Sequence, residues 1–363
     1  MVENLNNFRN RLQWLRNLRI IATVSVIIIH ITCRLLDGTI GTYSWWVGNF
    51  FDSSLRFAVP VFVMLSGALL LSKEYELGLF FKKKALRIFL PFLFWIFFYI
   101  LFYLFREIHN TGSVSVYYVL NYIVSNLYTI PESAYHFWYI YMSIGLYLFV
   151  PIIGKWIRIA TEKEIEYFLL VWVFVIILSE TDFGPKLIGN LNLRIFSGYL
   201  GYLILGYYLS LKEIKWRKKT IQRFSFLFIV LGALFTILGT WLLSLSKGSY
   251  DARLHDYLSL NTVVLSTGFF LFVKTIELSY SNWLNTICDF VDKHSYGIYL
   301  VHVFVLECFV KFRVGLNFWS MSGKFVIFGV LITTVQCLGL SAVSIYMIDK
   351  LPFGKYISGV VHK

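Results

Sequence analysis

Long apolar stretches alternate with short polar, often basic, connections from one end of the 363-residue chain to the other. Ten stretches read as membrane spans, at residues 17–36, 50–72, 85–105, 135–153, 165–179, 195–211, 221–246, 258–278, 296–314 and 325–348. A hydrocarbon core of about 30 Å demands roughly 20 apolar residues of a helix, and most of these stretches meet or approach that length. The pattern therefore predicts an all-α fold, a polytopic membrane helical bundle of about ten transmembrane helices. It forms a single integral-membrane domain over residues 1–363, with no appended soluble domain. The longest connection, 106–134, holds an apolar but polar-dotted segment at 114–128 that suits an interfacial or re-entrant helix better than a further span. No internal repeat is visible, and no inverted repeat of the kind some transporters carry.

Charge gives the bundle a direction. Basic residues cluster in alternate connections: Arg9, Arg11 and Arg16; Lys82, Lys83, Lys84 and Arg87; Lys212, Lys215, Arg217, Lys218 and Lys219. Positively charged short loops stay on the cytoplasmic side, so an even number of spans places both termini in the cytoplasm. The connection with Lys311, Arg313 and Lys324 runs against this trend. The first stretch has a basic flank but no small-residue cleavage site, which makes it a retained helix.

Composition agrees. The chain is 58% hydrophobic and only 15% charged, with a mean hydropathy of +0.68, outside the range of soluble domains. Aromatics reach 19%, with many Tyr and Trp near segment ends, where interfacial belts place them. The net charge of +13 would raise the question of nucleic acid in a soluble protein. Here it is explained by topology, so the expected partner is the lipid bilayer and not nucleic acid. Four cysteines, Cys33, Cys288, Cys308 and Cys337, show no paired spacing, and no metal site is expected.

Against this apolar background a few polar side chains stand out. Arg19 and His30 lie in the first span with ten residues between them, about three helical turns, hence on one face and ~16 Å apart along the axis. Ionisable residues inside a membrane helix are costly and point to function by default. The plain structural alternative is a snorkelling arginine and a packed histidine. Asp52 and Arg56 open the second span four residues apart, followed by Pro60, Ser66 and Gly67; opposite charges at that spacing can pair on one face, and the proline frees backbone suited to lining a polar cavity. Lys84 and Arg87 sit in a basic cluster at the start of the third span, able to hold phosphates or simply to anchor against anionic lipid. His136 and Trp138 open the fourth span, and Tyr299 and His302 lie inside the ninth. His136 and Trp138 suit a carbohydrate-binding surface or an ordinary interfacial aromatic belt, and a structural role is the default for Tyr299 and His302.

Taken in order, these segments resemble the acyltransferase-3 family of integral-membrane O-acyltransferases. The similarity rests on the Arg19-to-His30 spacing, the 56–67 stretch ending in Ser66-Gly67, and Lys84-Ala-Leu-Arg87, where the family carries paired arginines. Two later landmarks, 137–151 and 296–302, complete it. The resemblance runs from about residue 12 to residue 350, and within the family it is nearest the short members that acetylate surface glycans. It implies acyl transfer, acetyl foremost, from acyl-CoA to a hydroxyl of a cell-surface or lipid-linked glycan at the plasma (inner) membrane. His30 would be catalytic, Arg19, Lys84 and Arg87 would contact the coenzyme, and Asp52, Arg56, Ser66, His136, Trp138, Tyr299 and His302 would serve the acceptor. Lysine at 84 offers a point charge where an arginine would bind phosphate with two parallel hydrogen bonds. A homo-oligomer is left open.

A transporter or flippase of an amphipathic substrate would also explain charges within the membrane, but it would leave the Arg19–His30 spacing and the Lys84–Arg87 cluster without a role. A donor that binds only the folded state raises the melting temperature. The enzyme reading therefore expects purified protein to melt higher in millimolar acetyl-CoA, whereas an unchanged melting temperature favours transport.

Overall fold

The computed structural model describes residues 2–212, 215–278, 280–312 and 323–360. Among these the regular structure is entirely helical, as the hydrophobic pattern predicts. In chain order the helices are α1 (Val2–Thr32), α2 (Tyr43–Ser54), α3 (Ala58–Leu70), α4 (Leu77–Lys84), α5 (Leu90–Thr111), α6 (Val116–Tyr128) and α7 (Trp138–Ile159). They continue as α8 (Glu162–Ser179), α9 (Gly184–Asn190), α10 (Leu200–Leu211), α11 (Lys218–Lys247), α12 (Leu260–Thr275), α13 (Asn282–Phe312) and α14 (Val326–Asp349). Each of the ten expected spans coincides with a helix, and the 114–128 segment is α6.

Among the described residues, seven helical stretches are long and apolar enough to cross a membrane: Gln13–Asp37, Tyr43–Leu70, Leu77–Thr111, Ala134–Ile159, Lys218–Lys247, Arg253–Thr275 and Val326–Asp349. The other expected spans fall on α8, α10 and α13. At 12 residues, α10 is only ~18 Å long. Helix α8 opens on charged residues, where the Thr161 hydroxyl accepts from the Glu164 amide and the Glu164 carboxylate accepts from the Thr161 amide, a reciprocal cap that fixes its start. The basic stretch containing Lys311, Arg313 and Lys324 lies outside the side chains described.

The second span differs from the single helix expected. It begins earlier, at Tyr43, and is interrupted at residues 55–57 between α2 and α3. Pro60 supplies the reason: it has no amide hydrogen for the carbonyl of residue 56, and its ring crowds that carbonyl. Arg56 therefore sits in the break. A second irregularity lies between α4 and α5, where Ala85–Phe89 form a π-helical turn, a feature often found at functional positions. It carries Arg87.

The chain divides into two compact units. The first comprises Met1–Glu74, Leu148–Asp292 and Leu316–Val335; the second comprises Tyr75–Tyr147, Lys293–Gly315 and Gln336–Lys363. In the first unit α3 and α10 meet backbone to backbone. A Cβ on Gly67 would lie 1.8 Å from the Leu203 carbonyl oxygen, and one on Gly206 would lie 2.0 Å from that of Met64. Small residues permit this approach in membrane bundles, where dispersion rather than water expulsion drives helix association. Helix α1 is latched to the start of α13: Gln13 donates to the Leu278 carbonyl at 2.5 Å, Arg16 pairs with Asp289 at 2.7 Å and Arg19 with Asp292 at 2.5 Å. From Arg16 to Arg19 and from Asp289 to Asp292 the partners advance together by three, so the two helices run parallel here.

In the second unit the Tyr99 hydroxyl on α5 bridges two backbone groups of α13, donating to the Leu300 carbonyl at 3.1 Å and accepting from the Phe304 amide at 3.0 Å. Tyr296 donates to the Ile88 carbonyl at 2.8 Å, and the Trp95 indole donates to that of Ile357 at 3.1 Å. Polar tips of aromatic residues thus tie helices together where no water is available to satisfy them.

Replacing Gly206 with leucine should separate α3 from α10. Overpacking of this kind costs about 1–3 kcal/mol or more, and a lower melting temperature with reduced recovery of folded protein from detergent is the expected result.

Candidate active site

Helix α1 is unbroken from Arg19 to His30, so the inferred separation of ~16 Å on one face holds. His30 is half-buried. The Cys33 thiol, one turn further on, donates to the His30 carbonyl at 3.6 Å. Arg19 is engaged in a way the sequence reading did not foresee, because Asp292 takes its guanidinium. Burial pushes the Asp292 carboxyl up from the ordinary carboxylate value, and the adjacent Arg19 charge pulls it back down. Asp289 and Asp292 repeat the three-residue spacing of Arg16 and Arg19, and that matched spacing was the available signal.

Asp52 and Arg56 pair as expected, at 2.5 Å, with Asp52 fully buried. Their surroundings were not anticipated. The loop between α11 and α12 brings His255 down so that Nδ1 lies 3.1 Å from the same Asp52 oxygen and Nε2 lies 2.9 Å from Ser53 Oγ. Ser53 donates to Asn49 at 2.9 Å, and Asn49 donates to the Ile237 carbonyl at 2.9 Å. Tyr250 Oη stands 2.5 Å from His255 Nδ1, and burial pushes its phenol up, which keeps it a neutral hydroxyl. The Arg56 guanidinium lies over the Tyr257 ring, 5.2 Å from its centroid. Nothing in the spacing of His255, a loop residue roughly 200 positions away, marked it as a partner. Ser66 is half-buried and donates back to the Phe62 carbonyl of its own helix at 3.1 Å.

The remaining residues singled out from sequence belong to the second unit. Lys84 projects its ammonium over the Tyr147 ring at 4.0 Å, and Arg87 is exposed on the π-helical turn. His136, Tyr299 and His302 converge: the two imidazoles are 5.1 Å apart, edge to face, and the Tyr299 hydroxyl donates to the His136 carbonyl. His302 Nδ1 lies 2.8 Å from the Tyr299 carbonyl, and both histidines are buried. Trp138 is half-buried, with Tyr139 next to it edge to face. All four cysteines are free thiols, and no group of three or more His, Cys, Asp or Glu among the described residues could hold a metal ion.

The described residues thus form a multi-pass helical membrane protein with an arginine and a histidine three turns apart on one helix and a basic turn entering another. Residues 12–342 match the model of the acyltransferase-3 family, described as an acyltransferase domain, and the chain belongs to that family. No curated protein matches this chain, and no solved structure does.

The Asp52–Arg56 and Arg19–Asp292 pairs differ in burial, and their removal should differ accordingly. Asp52→Ala strands a buried guanidinium, a change that costs about 3–5 kcal/mol, whereas the Arg19–Asp292 pair retains 28% and 24% of its side-chain exposure and should be worth about 1 kcal/mol or less. Melting temperatures in detergent are expected to fall sharply for Asp52→Ala and slightly for Asp292→Ala.

Proposed function

We propose that the protein transfers an acyl group, acetyl in the first instance, from acyl-CoA to a hydroxyl of a cell-surface or lipid-linked glycan. In this reading it resides in the plasma (inner) membrane with both termini in the cytoplasm, the orientation favoured by its basic loops. The observation that carries the proposal is the placement of Arg19 and His30 on one face of an uninterrupted helix, ~16 Å apart. That length suits the thin pantetheine arm of coenzyme A, with a cationic contact at one end and an imidazole at the other. Arg19, Lys84 and Arg87 are assigned to the anionic end of the donor. Lys84 offers a single charge and Arg87 a fork of donors, so the larger share of phosphate recognition falls on Arg87.

His30 acts as the general base. It takes the proton of the acceptor hydroxyl as that oxygen attacks the thioester carbonyl. The carbon–sulfur bond then breaks, and the coenzyme A thiolate leaves with the proton held by the imidazole. Arg56, neutralised by Asp52 and with 13% of its side chain exposed, is assigned to the acceptor. The aromatic segment at Trp138 and the Tyr299–His302 pair are assigned there as well.

Glycan acetyl content in a deletion strain is expected to return with the wild-type gene and to stay at background with His30→Ala. Full acetylation by the alanine variant overturns the role given to His30. Radiolabelled acetyl-CoA without acceptor is expected to leave no label on the protein. Label held by wild type but not by His30→Ala replaces direct transfer with an acyl-histidine relay.

A further inference from the structure

The Asp52–Arg56 pair is supported from behind by a chain of buried polar groups that a simple ion pair does not require. Asp52, Ser53, Asn49 and His255 are all buried, whereas Arg56, Tyr250, Tyr257 and Cys33 are only half-buried. The cluster therefore has a closed side and an open one. Cys33, in the turn that follows α1, keeps its thiol on the His30 carbonyl, and α2 packs on that same turn, where a Cβ on Gly48 would meet Leu35 and the Thr32 carbonyl, so the cluster lies toward the end of α1 that carries the imidazole.

The hydrogen-bond inventory of the pair is incomplete. One Asp52 oxygen, Oδ2, accepts from Arg56 Nη2 and has His255 Nδ1 3.1 Å away, while Oδ1 is buried with no partner. Arg56 Nε is likewise buried without one. An acceptor and a donor left over within a single buried ion pair are costly, since each has lost its water. They also match what one sugar hydroxyl offers, a hydrogen to give to a carboxylate oxygen and a lone pair to take a guanidinium hydrogen. The Tyr257 ring against Arg56 supplies an apolar wall of the kind sugar rings pack on.

What keeps Oδ1 available is the grip on Oδ2. Arg56 donates to that oxygen, and the His255 imidazole stands 3.1 Å from it, held at its far side by Ser53, which is in turn held by Asn49. We infer that His255 is a positioning residue for the acceptor: through Asp52 it fixes the carboxylate and Arg56 so that Oδ1 and Nε meet a hydroxyl of a glycan. This rests on the acyltransferase reading above. It adds a residue from the α11–α12 loop to the acceptor side of the reaction and gives it no role toward the donor.

The experiment uses the full-length protein in proteoliposomes, acetyl-CoA as donor and polysaccharide extracted from the deletion strain as acceptor. For His255→Ala the KM for polysaccharide should rise about tenfold, the size of one lost hydrogen bond to a charged group. The kcat and the KM for acetyl-CoA should stay within about twofold, well below that hydrogen-bond effect. His255→Asn, whose amide can still donate to Asp52, should recover most of the loss. If His255→Ala does not fold, Ser53→Ala removes the support at Nε2 while leaving Asp52 and Arg56 in place, and it should shift the same KM in the same direction.

An equal rise in both KM values, a fall in kcat with the polysaccharide KM unchanged, or no change at all overturns the role of His255. Wild-type protein that transfers nothing from acetyl-CoA overturns the acyltransferase reading itself, and the inference with it.

Discussion

Every ionised side chain placed among apolar helices must be compensated, and that constraint organises the interior of this protein. Bringing a carboxylate or guanidinium out of water costs several kcal/mol even after relaxation, so a lone buried charge does not persist. Asp52 is fully buried and accordingly has Arg56 and His255 on one oxygen. Arg19 has Asp292, and Arg16 has Asp289. These pairs join segments distant in sequence: the α11–α12 loop to α2, and the beginning of α13 to α1. Dispersion packing brings the helices together, as at Gly67 and Gly206, but it is the charges that specify which faces meet.

The same constraint explains why irregular backbone coincides with chemistry-bearing residues. Helices satisfy their own peptide groups, and inside a membrane a break is tolerated only where something else takes over. The interruption at residues 55–57, imposed by Pro60, holds Arg56, and the π-helical turn at Ala85–Phe89 holds Arg87. In both places the departure from regular helix carries an arginine. A uniform helix with an arginine at either position would project it from a smooth apolar wall, with a longer path to a partner or substrate.

Much of this was legible beforehand. The ten apolar stretches all fall on helices because their hydrophobic length is a property of consecutive residues. The Arg19–His30 relationship could be read as one helix face because nothing between them breaks a helix. The Asp52–Arg56 pair is local, four residues apart, and formed as read. By contrast, the break before Pro60 moved Arg56 out of regular helix, and the two histidines of the second unit turned out to pack against each other in an aromatic core. Asp292 and His255 were passed over because each finds its partner across more than 200 residues of chain. A single sequence carries no mark of such pairings beyond matched spacing.

The sequence by itself determined the class of solvent, the approximate limits of the apolar helices, the membership of an acyltransferase family and the helix face on which Arg19 and His30 stand. All of these follow from short-range periodicity, where hydrogen bonding and burial are decided within a few turns. Tertiary structure decided which charges neutralise which, how a loop histidine comes to hold a carboxylate in the second span, and which polar atoms are left over. Those outcomes depend on helices approaching one another in three dimensions, and the free energy that selects them comes from partners supplied by distant parts of the chain.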